Sequence, residues 1–310
     1  MHRVPEGADL EIWAAVTTPF GPDGELRLDA VGDQAAHLLA AGVNGAFVGG
    51  TTGEFPALST AERLELAAAW AERRPAALGL GVHVGHTVLS EARTLARQAA
   101  GLGADMIAAV APYYGSAARV EAVVDHLARI AEEAPGVPFC YYHIPGMTGL
   151  DLPASAVVTE AVKRIPTFSA VKFTDDDLLE FARTREAAPG VRVYFGKDEL
   201  LPAAQAMGAR AVIGSLYNFL APLARRVFQA AAEGRLEEAA RLHRPFREVA
   251  ETAGRHGGLA VVKELAGRFG PYAGRCRSPW DTLGTEGLAA VDRLIRDLGP
   301  IVAGREEETR

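Results

Sequence analysis

Short apolar runs alternate along the chain with longer amphipathic segments, and each run ends in a polar or glycine-rich turn. Runs that are apolar almost throughout are typical of parallel strands that are covered on both faces. Eight such runs are present, and they span residues 12–18, 45–49, 78–84, 105–111, 137–142, 168–173, 191–196 and 211–215.

The segments between these runs predict helices. Ser59 and Glu62 have the spacing of a capping box, in which each side chain binds the other residue's backbone N–H. Thr174 is predicted to cap a further helix, with the acidic residues 175–177 in its first turn, where negative charge is favourable. The chain therefore alternates strand and helix, which places it in the α/β class.

The spacing of the strands favours a closed barrel. Strand ends advance by about 28 residues per step, which suits a repeated strand–helix unit. Eight units without a long interruption predict a (β/α)₈ TIM barrel, with an open doubly wound sheet as the alternative. The strand pattern stops after residue 215. We expect residues 1–232 to form the barrel and catalytic domain, and residues 233–310 to form a C-terminal helical extension packed on it.

Charge and composition exclude several kinds of partner. The formal net charge is −7, which argues against nucleic acid or an anionic membrane surface as the partner. The two cysteines do not make a disulfide framework. Neither a signal peptide nor an apolar stretch of about 18 residues is visible, so we expect a cytoplasmic protein.

Lys172 is the sharpest candidate for chemistry, because it lies at the end of the sixth predicted strand. Active sites of barrel enzymes lie at the carboxyl ends of the strands. In the barrel mouth, desolvation favours the neutral amine, which can attack a ketone. The alternative is a structural lysine that is ion-paired with the acidic residues 175–177.

A glycine-rich loop at residues 49–54 follows the second predicted strand. Its backbone N–H groups, with the hydroxyls of Thr51 and Thr52, could cradle a carboxylate. The lysine of a phosphate loop is missing. The alternative is a plain strand-to-helix turn in which Glu54 makes local hydrogen bonds.

Two tyrosines, Tyr141 and Tyr142, end the fifth predicted strand. A tyrosine in a barrel mouth can transfer protons, but strand alternation points only one of the pair inward. The alternative is aromatic packing. The pair Tyr113 and Tyr114 after the fourth strand poses the same question.

Further polar residues follow the last two predicted strands. Asp198 and Glu199 could bind substrate hydroxyls, or could simply place negative charge at a helix N-terminus. Ser215 and Asn218 suit either a substrate contact or a helix cap.

Three histidines could suggest a metal-dependent aldolase. His83 and His86 form an H-x-x-H pattern, and His143 follows Tyr142. They come from two different loops, without the helical spacing of a zinc protease and without an acid or cysteine cluster to complete a site.

Five motifs together resemble those of the N-acetylneuraminate lyase and dihydrodipicolinate synthase superfamily of Schiff-base aldolases, over roughly residues 10 to 300. In this chain they are Gly-Thr-Thr-Gly-Glu at 50–54, Tyr-His-Ile-Pro at 142–145 with Thr-Gly at 148–149, Val-Lys-Phe-Thr at 171–174, Gly-Lys-Asp-Glu at 196–199, and Gly-Ser at 214–215 with Tyr-Asn at 217–218. The lyase branch is the more similar, because Met147 stands where the synthase branch carries a substrate-binding arginine.

The resemblance implies a role for each matching residue. Lys172 would form the Schiff base with the C2 ketone, and Tyr142 would take the proton from the C4 hydroxyl, so that N-acetylneuraminate is cleaved to pyruvate and N-acetylmannosamine. Thr51 and Thr52 would hold the carboxylate. The residues that would bind the sugar chain are Thr174, Gly196, Asp198, Glu199 and Ser215.

The resemblance also bears on assembly and specificity. It implies a homotetramer built from dimers, in which Tyr114 reaches a neighbouring subunit's site, and it implies no metal or organic cofactor. Lys197 and the small residues 115–118 are features of this chain that we expect to influence the choice of substrate.

Other functions remain open at this point. The chain could be an aldolase or dehydratase for another 2-keto-3-deoxy sugar acid, a dihydrodipicolinate synthase, a metal-dependent aldolase or a non-catalytic keto-acid sensor. Turnover of several sugar acids, the effect of a chelator and trapping by borohydride would distinguish them.

Overall fold

Eight parallel strands close into a barrel in the computed structural model, which describes residues 9–115, 119–280 and 282–302. Each strand pairs with the next, and the eighth pairs with the first, so the structure excludes the open sheet and confirms the predicted barrel. The strands are β1 Glu11–Ala15, β2 Gly45–Val48, β3 Gly79–His83, β4 Met106–Val110, β5 Phe139–His143, β6 Phe168–Phe173, β7 Arg192–Phe195 and β8 Ala211–Gly214.

Helices surround the barrel and continue beyond it. Those of the barrel layer are α1 Val31–Ala40, α2 Thr60–Arg73, α3 Leu89–Gly101, α4 Val120–Ala131, the short α5 Pro145–Thr148, α6 Ala154–Arg164, α7 Leu178–Ala187, α8 Leu201–Ala206 and α9 Tyr217–Ala232. The C-terminal helices are α10 Leu236–Arg255, α11 Leu259–Phe269 and α12 Thr285–Val302. In the ranges that the structure describes, no helix has both the length and the apolarity to cross a membrane.

The two predicted helix caps have different outcomes. At α2 the capping box is present, since Ser59 Oγ accepts from the Glu62 N–H at 3.2 Å and the Ser59 N–H donates to Glu62 Oε2 at 2.9 Å. At α7 the prediction that Thr174 caps the helix was wrong. Asp177 is the cap, and its Oδ1 accepts from the Glu180 N–H at 2.8 Å. The Thr174 N–H instead donates to the His143 carbonyl at 2.8 Å, which keeps Thr174 at the end of β6.

Strand alternation sorts side chains between the barrel interior and the helix layer. Tyr142 packs inside with Phe47 and Trp13, whereas Tyr141 belongs to the cluster between strands and helices. Gly45 is required beside Trp13, because a Cβ at that position would overlap the indole ring. The inward side of β5 is therefore the side that carries Tyr142.

A buried ion pair joins the loop after β2 to the C-terminal helices. Glu54 and Lys263 are 0% and 1% exposed, and Lys263 Nζ lies 2.7 Å from Glu54 Oε1. Glu54 Oε2 accepts from the Arg277 N–H at 2.8 Å. Glu54 therefore makes contacts with residues far along the chain, beyond the local turn, and ties α11 to the glycine-rich loop.

We expect Lys263→Met to lower the free energy of unfolding by about 3–5 kcal/mol, because it leaves a buried carboxylate without its cation. Denaturation by urea measures this change. Lys163→Met is the matched control, since Lys163 is 61% exposed in its pair with Glu160 and its loss should cost less than about 1 kcal/mol. Equal losses in the two variants would contradict the account of a stabilising buried pair.

Candidate active site

Lys172 and Tyr142 lie side by side in the barrel mouth. They are paired in the register of β5 and β6, and only 4% and 1% of their surfaces are exposed. Lys172 Nζ lies 3.6 Å from the centroid of the Tyr142 ring and 5.3 Å from that of Phe47. A cation is attracted to an aromatic face at such distances. The amine is thus held against two rings near the end of the barrel where chemistry is expected.

Lys172 is not ion-paired with the acidic residues 175–177, as the alternative interpretation of a structural lysine required. The acidic residues 175–177 have other partners: Asp175 faces His143, Asp176 pairs with Lys197, and Asp177 caps α7. Among the residues that the structure describes, no carboxylate forms an ion pair with Lys172. The side chain is therefore buried without an ion-pair partner among these residues.

The glycine-rich loop after β2 reaches the same place from across the barrel. Thr51 Oγ1 lies 3.1 Å from the hydroxyl oxygen of Tyr142, within hydrogen-bond distance, and Thr52 is buried. Gly53 packs tightly at the base of the loop, since a Cβ there would lie 3.2 Å from Gly49 Cα and 3.3 Å from the Val16 carbonyl oxygen. The loop is therefore held in place, with the Thr51 hydroxyl beside the phenol of Tyr142.

Asp198 is a buried acid beside this centre. It is 4% exposed, and its Oδ2 accepts from the Leu216 N–H at 2.8 Å. Gly214 makes room for the carboxyl, because a Cβ there would overlap Asp198 Oδ1. Burial raises the pKa of Asp198 to about 7, and the nearby Glu199 contributes in the same direction, whereas the charge of Lys172 opposes it.

This raised pKa predicts a pH-dependent stability. With its pKa of about 7 in the folded state against about 3.9 in the unfolded chain, Asp198 holds an extra proton when folded, and stability falls as pH rises through this window. We expect the stability of the wild type relative to Asp198→Asn to fall by roughly 3 kcal/mol between about pH 5 and pH 8. Urea unfolding of both proteins at the two pH values measures it. A relative stability that rises with pH would contradict the assignment.

Opposite charges form a small network at the rim. Lys197 Nζ lies 2.8 Å from Asp176 Oδ1 and 3.1 Å from Glu199 Oε1. The ammonium of Lys197, a residue that we expected to influence the choice of substrate, is therefore shared between two acids from the loops after β6 and β7. Glu199 stays partly exposed and can meet a ligand.

Thr174, Gly196 and Ser215 lie at the carboxyl ends of β6, β7 and β8. The Gly196 N–H donates to the Phe173 carbonyl at 2.8 Å, and a Cβ at Gly196 would overlap Thr174 Oγ1. Thr174 Oγ1 has no hydrogen-bond partner among the described residues. The Ser215 carbonyl accepts from Asn218 Nδ2 at 2.7 Å, so Asn218 braces this turn from within α9.

Tyr114 lies apart from the centre of its own chain, and the three histidines do not come together as a metal site. Tyr114 is fully exposed with a positive φ of 72°, and so its side chain points away from the barrel of its own chain. The histidines are dispersed: His83 lies inside the barrel, His143 stacks on Phe173 outside it, and His86 binds the Val88 N–H. The described ranges contain no group of three potential metal ligands.

Sequence reasoning missed Arg63, which lies behind the glycine-rich loop. It is 4% exposed, on the same face of α2 as the buried Leu66, Ala67 and Trp70. The signal was available, since a charged residue at a position of the apolar stripe of a helix requires an explanation.

These observations define a barrel enzyme with a buried amine beside a phenol and a loop rich in hydrogen-bond donors. The model of the dihydrodipicolinate synthetase family matches residues 9–298, and the chain belongs to this family. Its members are class I aldolases, lyases that form a lysine Schiff base with pyruvate, and this chain is an enzyme of that class.

Several relatives that share more than 30% identity with this chain are N-acetylneuraminate lyases. The chain is 39% identical to N-acetylneuraminate lyase of Gallus gallus over 225 residues, which are 71% of this chain and 73% of that protein. It is 37% identical to the lyase of Mus musculus over 221 residues, 70% and 69% of the two chains. The structure of Proteus mirabilis N-acetylneuraminate lyase superposes with a TM-score of 0.89 at 31% identity and covers 94% of this chain and 99% of that one.

Proposed function

We propose that this enzyme cleaves N-acetylneuraminate to pyruvate and N-acetylmannosamine. The observation that carries the proposal is the buried Lys172 amine, which lies 3.6 Å from the ring centroid of Tyr142, whose hydroxyl in turn contacts Thr51. The substrate is proposed from the relatives, which include N-acetylneuraminate lyases of vertebrates and bacteria.

In this mechanism the neutral Lys172 amine attacks the C2 ketone, and the Tyr142 phenol gives its proton to the departing hydroxyl, so that loss of water leaves a protonated imine and a Tyr142 phenolate. The imine accepts the electron pair of the C3–C4 bond. Tyr142 oxygen takes the proton from the C4 hydroxyl, so that C4 leaves as the aldehyde of N-acetylmannosamine. Protonation of the enamine at C3 and hydrolysis of the imine then release pyruvate and restore Lys172.

The loop at residues 49–54 would hold the substrate carboxylate. Its successive backbone N–H groups and the two threonine hydroxyls supply donors without charge. Thr51 also contacts the Tyr142 hydroxyl, so that one residue links the carboxylate to the proton-transferring group. Carboxylate binding and proton transfer would then share one hydrogen-bonded chain.

The sugar chain would lie along the ends of the last three strands. Thr174 offers a hydroxyl without a partner among the described residues, and Glu199 offers a partly exposed carboxylate. Gly196, which makes room for the Thr174 hydroxyl, would meet the chain with its backbone. Ser215 would add a hydroxyl, and Asp198 would act from its buried position beside them.

The assembly and domain division are part of the proposal. The exposed Tyr114, held with a positive φ, suits a contact with a neighbouring subunit in a homotetramer. We propose residues 1–232 as the catalytic barrel and 233–310 as an extension, supported by the Lys263–Glu54 pair. Residues 1–8, 116–118, 281 and 303–310, which include most of the 115–118 loop, lie outside the described residues.

A second candidate is cleavage of another 2-keto-3-deoxy sugar acid. Lys197 supports it, because a cation at the rim would favour a substrate with a second acidic group, although Asp176 and Glu199 already share that cation. Such an enzyme would keep Lys172 and Tyr142 in the same roles.

Turnover of a panel of substrates tests the proposal. We expect kcat/KM for N-acetylneuraminate to exceed that for 2-keto-3-deoxygluconate, and for pyruvate with aspartate semialdehyde, by at least about tenfold. A reversed order would assign the chain to the second candidate or to the synthase activity. Loss of activity with a chelator would point to the metal-dependent alternative.

A further inference from the structure

Arg63 is a buried cation without a buried anion. Its side chain is 4% exposed, and its guanidinium donates to the Gly85 carbonyl at 2.9 Å and to the His83 carbonyl at 2.7 Å. Its Cζ lies 5.3 Å from the centroid of the Phe55 ring. No Asp or Glu among the described residues forms an ion pair with it. An uncompensated buried charge is unfavourable, so its presence calls for a function.

The neighbouring ionisable groups do not supply the missing negative charge. Tyr113 is the acid that interacts with Arg63, but burial raises the pKa of Tyr113 and keeps the phenol neutral. Burial lowers the pKa of Arg63 to about 10, which still leaves it charged at neutral pH. His83 is also neutral, because burial, and then the charges of Arg63 and Lys172, lower its pKa.

This cation stands directly behind the glycine-rich loop. Arg63 Nη2 lies 3.5 Å from His83 Nδ1, and the same Nδ1 lies 2.9 Å from the carbonyl oxygen of Gly49, where the loop begins. The His83 ring lies 5.9 Å from the Tyr142 ring. The charges of Arg63 and Lys172 therefore act on one imidazole from two sides, next to the loop that carries Thr51.

We propose that Arg63 determines specificity by supplying the fixed positive charge that selects the carboxylate of the 2-keto acid at the 49–54 loop. This inference rests on the proposed function. Arg63 acts through His83 and the loop, without touching the substrate. Its two shortest hydrogen bonds go to backbone carbonyls, so the charge is held in position before the ligand arrives, and the dry surroundings lengthen its electrostatic reach.

The test compares pyruvate with pyruvamide, which has the same shape and lacks the charge. Each is titrated in the presence of borohydride, and the adduct on Lys172 is quantified by mass spectrometry. In the wild type we expect half-maximal trapping of pyruvate at a concentration at least about tenfold lower than that of pyruvamide. In Arg63→Gln we expect this ratio to fall to within about threefold, mainly through weaker trapping of pyruvate.

Two further variants separate charge from structure. Arg63→Lys keeps the charge, and we expect it to retain most of the preference for pyruvate. Arg93→Gln is the matched control, because Arg93 is an exposed residue of α3 paired with Glu133 and should leave the ratio unchanged. The ratio is taken within one protein, so a smaller folded fraction affects both ligands equally.

Two results would overturn the role of Arg63, and a third would reject the function on which that role rests. A wild type that traps pyruvamide as readily as pyruvate would overturn the role of Arg63, whatever the variants do. So would an Arg63→Gln variant in which both ligands weaken equally, since that result describes a purely structural residue. A wild type that forms no adduct with pyruvate would instead reject the Schiff-base function on which the inference rests.

Discussion

We expect Lys172→Met to lower the turnover of N-acetylneuraminate by at least about 10³-fold, because the variant has no amine to form the imine. The steady-state rate of pyruvate release measures this loss. Methionine has nearly the length of lysine and fits between the rings of Tyr142 and Phe47 that surround Lys172 Nζ. The protein should remain folded, because Lys172, unlike Lys263 with its partner Glu54, has no ion pair whose loss would leave a buried carboxylate alone.

Lys163→Met is the matched control, because it removes an exposed lysine of α6 and should leave turnover unchanged. Near-normal turnover in Lys172→Met, with an unchanged circular dichroism spectrum, would remove the imine from the mechanism.

We expect Tyr142→Phe to lower kcat by about 10²–10⁴-fold and to change the affinity for pyruvate by less than about threefold. The substitution keeps the ring beside Lys172 Nζ and removes only the hydroxyl that contacts Thr51. Proton transfer from the C4 hydroxyl then has no acceptor at this position, whereas the imine can still form. Rapid-quench turnover and a pyruvate titration measure the two quantities separately.

Tyr141→Phe provides the matched control on the same strand. Tyr141 lies on the opposite face of β5, with its hydroxyl 3.3 Å from His143 Nδ1, and its loss should leave kcat nearly unchanged. If Tyr142→Phe weakened pyruvate binding and kept kcat, Tyr142 would be a binding residue and the proton acceptor would lie elsewhere.

Much of the fold could be predicted because its signals are local. Each barrel strand is a short apolar run that can be recognised without knowing its partners, and the eight ends recur at similar spacing. Strand alternation also predicted that only one of Tyr141 and Tyr142 points inward; alternation could not say which, and only the motif resemblance favoured Tyr142. The packing of Tyr142 against Phe47 decides it.

Features that depend on distant partners could not be predicted. Glu54 and Lys263 are 209 positions apart, so nothing near Glu54 indicates that its carboxylate is buried against α11. The prediction of Thr174 as the cap of α7 was wrong for a similar reason, because the Thr174 N–H already donates to the carbonyl of His143 in β5. The burial of Arg63 was within reach of a helical pattern, but its position behind the loop was not.

Reduction of a trapped imine tests the central claim most directly. The protein is incubated with N-acetylneuraminate, borohydride is added, and the modified peptide is identified by mass spectrometry. A pyruvyl adduct on Lys172 is the result that the account predicts, because it shows that the sugar acid is cleaved while bound to that lysine. The absence of an adduct on Lys172 with N-acetylneuraminate, and equally with pyruvate alone, would contradict it.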